Sequence, residues 1–94
     1  MFASADAQAF ARGLAAAILD ELGDAALRPG PKFKSQAERV LKKAARRIDE
    51  FKAGNRLNWF QRSRAANAFL WTLKDRQCVD DYAKELSEWF VMRL

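Results

Sequence analysis

Apolar residues return every three or four positions through almost the whole of this 94-residue chain, and nowhere do apolar and polar residues alternate for long. A spacing of three to four matches the 3.6-residue turn of an α-helix, so each such stretch presents one apolar face. No Asn-Gly or Asp-Gly pair marks a hairpin between strands. The pattern breaks firmly at Pro29-Gly30-Pro31, which holds both prolines of the chain. Proline lacks an amide donor and clashes with the preceding helical turn, so no helix continues through that segment. The chain is thus expected to be all-α: four helices at about 5–22, 35–53, 58–75 and 79–93, with one long Pro/Gly-containing loop after the first. A chain of this length folds as one domain, 1–94.

Each helix carries its own signals. The first is rich in alanine, the best helix former, and Gly23 stands where a C-terminal glycine closes a helix. Phe10, Leu14, Ala17 and Ile18 share one face of it. For the second, Ser35-Gln36-Ala37-Glu38 reads as a capping box that opens the helix. Ala37, Val40, Leu41, Ala44, Ile48 and Phe51 form its apolar stripe, and Gly54 closes it. Asn58 is the expected N-cap of the third helix, with Trp59, Ala66, Phe69, Leu70 and Leu73 as its core face. In the fourth, Val79, Tyr82, Ala83, Leu86, Trp89 and Phe90 recur at helical spacing, and Asp80 and Asp81 suit the positive end of the helix dipole. Short connections after helices two and three predict that helices two, three and four are sequential antiparallel neighbours.

Composition limits the chemistry. Histidine is absent, which removes the commonest general base and the commonest metal ligand. One cysteine, Cys78, forms neither an internal disulfide nor a cysteine-based zinc site, and the four glycines are scattered, without a phosphate-binding loop. Asp81, Glu85 and Glu88 share a face, but without a pocket they read as solvated carboxylates. The expectation is therefore a protein that is not an enzyme, with no cofactor, no metal and no small-molecule substrate. The first residues, Met1-Phe2-Ala3-Ser4-Ala5-Asp6, lack the basic start of a secretory signal, and no window is apolar enough to span a membrane. With a lone thiol, a cytoplasmic location is expected.

Charge is segregated. Residues 1–30 and 78–94 each carry −2, whereas 31–54 carry +5 and 55–77 carry +4. In the second helix Arg39, Lys42, Lys43, Arg46 and Arg47 stand off the apolar stripe. Like charges four residues apart weaken a helix slightly, and an uncompensated basic face attracts anions. The leading expectation is a binding module whose basic middle, with Arg64 of the third helix, contacts DNA or RNA phosphates. A helix-turn-helix across helices two and three does not fit, because Glu50 stands where a small residue should pack.

The competing expectation is a protein-interaction or self-assembly module, a homodimer through the C-terminal helix. Val91 and Met92 lie off that helix's apolar stripe and, with Trp89 and Leu94, would supply the contact; packing against the Pro29–Pro31 loop is the alternative. Phe60, Arg64, Asn67 and Trp71 form a second strip. Trp and Arg dominate binding hot spots, and an exposed ring can stack an unpaired base. In so small a domain, however, Phe60 and Trp71 are expected to pack under the first helix or the loop, with Arg64 reaching out to water.

Overall fold

Capping and burial together set the four helices of the computed structural model, which describes residues 3–23, 31 and 33–94, with side chains from residue 5 onward. They are α1 (Ala3–Leu22), α2 (Phe33–Gly54), α3 (Trp59–Asp75) and α4 (Asp80–Arg93), with no strand among the described residues. The all-α four-helix architecture is as expected. Gly23 follows α1 with φ +58°, the left-handed conformation glycine adopts without a Cβ clash. The proline-containing loop falls almost wholly on residues outside the described set, as does any contact between it and Val91 or Met92.

Two helix boundaries differ in cause from the sequence reading. Helix α2 begins at Phe33, so Ser35 lies inside its first turn and is not the N-cap. Helix α2 ends at Gly54, but it is Asn55 that satisfies the freed carbonyls: its backbone amide donates to Lys52 O (3.3 Å) and its side chain to Phe51 O (3.0 Å). The reciprocal capping box belongs instead to α3. The Gln61 amide donates to Asn58 Oδ1 (2.8 Å), and the Asn58 amide donates to Gln61 Oε1 (2.9 Å).

Side-chain contacts give the direction of every helix. The stacked rings of Phe10 and Phe51, and the Gln36 side chain donating to the Leu22 carbonyl, run α2 antiparallel to α1. The ion pair of Asp20 with Arg76 joins the C-terminal ends of α1 and α3, so these two are parallel. The Phe33–Tyr82 edge contact at one end, and Lys52 Nζ donating to Arg93 O (2.9 Å) at the other, run α4 parallel to α2. Phe69 stacks on Phe90 between α3 and α4. Around the bundle the order is therefore α1, α2, α4, α3. Directions alternate along the chain as predicted, yet the backbone that α3 approaches most closely is α1, not α2. The cause is side-chain size: Ala7, Ala11 and Ala15 make a ridge of fully buried small residues on α1, and Ala65 is equally small and buried on α3. Helices bearing small residues approach closely, and large ones hold α2 further out. Helices α2 and α3 end up diagonally opposed.

The core is wholly apolar among the described residues, with Phe69, Phe90, Leu14, Ile18, Ile48, Leu73 and Leu86 its largest fully buried side chains. Leu94 is also buried. Trp59 was expected on the core face of α3 and is 76% exposed. The buried line of α3 runs through Ala65, Phe69 and Leu73, rotated by about one residue step, roughly 100°, from Ala66 and Leu70. Since Phe69 is level with Phe90, Trp59 also lies about 15 Å further along, past the last residues of α4. Val79 is likewise outside the stripe: it is exposed and occupies the N-cap position of α4.

Candidate recognition surface

Once Ala65, Phe69 and Leu73 turn inward, a helical step of about 100° per residue puts Phe60, Arg64, Asn67, Trp71 and Lys74 on the opposite side of α3. Two of these were expected to pack beneath α1 or the loop. Instead Phe60 is 47% and Trp71 60% exposed. The core is filled without them, because α1 contributes seven buried residues of its own, Ala7 through Leu22. The rings carry cations of their own helix. The Arg64 guanidinium lies 5.0 Å from the Phe60 centroid, and Lys74 Nζ lies 5.4 Å from the Trp71 ring. Such cation–ring contacts at an exposed site contribute about 0.5–1 kcal/mol each, enough to bias rotamers. Trp59 stands edge-on to Phe60 at 6.2 Å. Beside the strip, a shallow groove of about 300 Å³ separates α1 from α3, lined by Gln8, Arg12, Arg64, Asn67, Trp71 and Asp75 among others. Among the described residues Asp75 is the only carboxylate lining it.

The cations of α2 are placed differently. Ala37, Val40, Ala44 and Ile48 point inward, so Arg39, Lys42 and Arg46 project outward. Lys43 and Arg47 flank the side towards α1, where Lys43 Nζ bonds Glu21 Oε1 at 2.6 Å. That pair is exposed and contributes about 1 kcal/mol or less, but it neutralises one of the five cations. Arg64 sits on the diagonal partner of α2, so the structure does not bring it together with Arg39, Lys42 and Arg46 on one side.

The interface residues of the C-terminal helix also divide. Met92 is 86% and Val91 50% exposed. Trp89 is partly buried against the core, lines a surface recess with Leu41 and Ala45 of α2, and holds Arg93 over its ring at 5.5 Å. It is therefore engaged within the chain. Asp81, Glu85 and Glu88 stay exposed on the outer side of α4, and no group of three or more potential metal ligands gathers among the described residues.

Two ionisable groups are perturbed. Burial, then the neighbouring Asp80, pushes the Cys78 thiol up. A buried, protonated thiol is a poor nucleophile. Burial, then Cys78 and Glu85, pushes Tyr82 up to about 12.

No described helix is long and apolar enough to cross a membrane. Comparison of the chain with known protein families, with curated proteins and with solved structures finds no match.

Proposed function

We infer that this chain is a non-enzymatic helical interaction module that docks a protein partner through the outer face of α3. One observation supports this reading above others: Trp59, Phe60 and Trp71 stand exposed on one helix of a 94-residue chain, interleaved with Arg64, Asn67 and Lys74. Large exposed rings cost hydration free energy in the isolated molecule, and contiguous apolar patches of this kind mark interaction sites. Trp and Arg are also the residue types that dominate measured hot spots.

The reading is tested by a photo-cross-linking amino acid in place of Trp71, irradiated in cells. Discrete protein adducts are expected, disappearing when Phe60→Ala and Arg64→Ala accompany the probe. The same probe in place of Glu50, on the outer side of α2, should give none. Absence of adducts from position 71 would reject the reading.

A second reading rests on a different observation: Arg39, Lys42 and Arg46 project from successive turns of α2 and make no ion pair among the described residues. It assigns α2 to nucleic-acid phosphates. Neutralising about three phosphates would give log affinity falling against log salt with a slope near −2.7, steepening to about −4.5 if Lys43 and Arg47 join. No gel shift with DNA or RNA at low salt would exclude it.

A further inference from the structure

The strip on α3 has an internal order that bears on its partner. Read along the helix it is ring, cation, amide, ring, cation: Phe60, Arg64, Asn67, Trp71, Lys74. Reversed and laid against itself with the crossing at Asn67, the order is complementary. Residue 60 then faces 74 of the other copy, 64 comes within one residue, about 1.5 Å along the axis, of 71, and 67 faces 67. Each ring meets a cation, and the two central amides meet each other.

Resting on the reading of this face as a docking surface, we propose that its partner is a second copy of the chain, joined by antiparallel pairing of α3 with α3 across a two-fold axis at Asn67. A two-fold interface must be self-complementary in this way, residue i meeting j and j meeting i. The contacts already made within each chain, Arg64 over Phe60 and Lys74 over Trp71, place the cations beside the rings they would also meet across the axis. Asn67 at the crossing offers two donors and an acceptor to its twin, and a central amide pair of this kind fixes register between helices. Like charges are staggered but not remote: along the axis the two Lys74 residues sit about 21 Å apart, the two Arg64 about 9 Å, and Arg64 of one copy about 6 Å from Lys74 of the other.

The two rings of the strip, Phe60 and Trp71, at their observed exposures offer about 200–250 Å² per copy, from roughly 150–250 Å² for each whole aromatic side chain. A standard stable interface needs about 800 Å² per partner, and Arg64, Asn67, Lys74 and the α1 flank at Gln8 and Arg12 adjoin the rings to make up the difference.

The geometry is tested on the full chain by mild oxidation of the N67C variant in a Cys78→Ser background. Antiparallel pairing centred on residue 67 brings two such thiols within disulfide reach, which needs Cα atoms about 4.4–6.8 Å apart, at position 67 and not at 74, whereas parallel in-register pairing would bring them together at both. N67C is expected to cross-link to a dimer and K74C to stay monomeric. Sedimentation of the unmodified protein should show a monomer–dimer equilibrium, weakened about tenfold or more by Trp71→Lys, which removes the ring and sets a like charge against Arg64 of the other copy. Adding salt from about 50 to about 500 mM should hold or strengthen it, because screening relieves repulsion between two basic strips.

A dimer that dissociates with salt and fails to cross-link at position 67 would overturn the pairing, pointing to α3 against the acidic outer side of α4 at Asp81, Glu85 and Glu88. A monomer at every concentration would overturn the second copy as partner. If position 71 then still forms adducts with a different protein, the docking reading stands and only the self-pairing falls. If it forms nuclease-sensitive adducts or none, both fall.

Discussion

The rings of Phe69 and Phe90 lie parallel, 4.3 Å between centroids and 5° between planes, both fully buried where α3 and α4 meet. This stack fixes the height of α4 against α3 and so which residues of each helix face outward at the same level. Phe90→Ala should cost about 3–5 kcal/mol, a transfer loss plus a cavity between two closely packed helices. That is a large share of the roughly 5–15 kcal/mol available to a domain. Phe90→Leu should cost far less, about 1–2 kcal/mol, since the neighbours can close around it. Met92→Asp, two residues on but exposed, should change stability by less than about 0.5 kcal/mol. Urea unfolding followed by circular dichroism measures all three, and a costly Met92→Asp would show that this residue packs in solution.

The two helix starts read from the sequence, the Ser35 capping box and the Asn58 N-cap, should respond oppositely to alanine. Asn58→Ala removes the acceptor for the Gln61 amide and should cost about 0.5–2 kcal/mol. Ser35→Ala, inside the first turn of α2 and exposed, should be neutral or slightly stabilising, because alanine is the better helix former there. Thermal melts of the pair settle this. A Ser35→Ala loss as large as that of Asn58→Ala would move the start of α2 to Ser35.

Four helices, Gly23 and the Asn58 cap were all readable, because local backbone chemistry writes them directly: periodicity, a left-handed glycine, a side-chain acceptor. What escaped was set by neighbours. Phe69 and Leu73 stood on the expected core face together with Trp59, Ala66 and Leu70, and only the closeness of an alanine ridge on α1 draws the buried line to Ala65–Phe69–Leu73. That choice turns Phe60 and Trp71 outward. Placement of Arg64 away from Arg39, Lys42 and Arg46 has the same origin, since short connections show which helices follow one another but not which lie diagonal. The alanines of α1 were a usable signal, as small residues spaced by four announce close helix packing.

No sequence signal marked Gln77, which holds φ +62° after α3. Its amide donates to Lys74 O and that of Cys78 to Leu73 O, both at 3.0 Å, with Leu73 and Cys78 both buried beside the turn. This is a Schellman turn whose left-handed position glycine usually fills. A side chain there costs about 1 kcal/mol. Gln77→Gly should therefore stabilise by about 0.5–1 kcal/mol, after allowance for glycine's freer unfolded chain. The midpoint of thermal unfolding would rise by several degrees for a domain of this size. A fall would mean that the Gln77 side chain makes a contact worth more than the strain.

Tyr82 gives the pH response. Its hydroxyl is buried without a hydrogen-bond partner among the described residues, its ring meets Phe33 edge-on at 4.8 Å, and burial foremost raises its pKa to about 12, against about 10 when unfolded. Between those two values the folded chain keeps a proton that the unfolded chain releases, so stability falls as pH rises. The contribution is fully present below about pH 10 and is lost as pH climbs through about 12. Tyr82→Phe keeps the ring contact, removes the unpartnered hydroxyl and deletes this titration. At pH 7 the variant should be as stable as the parent or more so, since a buried polar atom without a partner is itself unfavourable. Its stability between pH 10 and 12 should decline less steeply than the parent's. Chemical denaturation at pH 7, 10 and 11 measures the difference, and identical slopes in the two proteins would show that the hydroxyl reaches water.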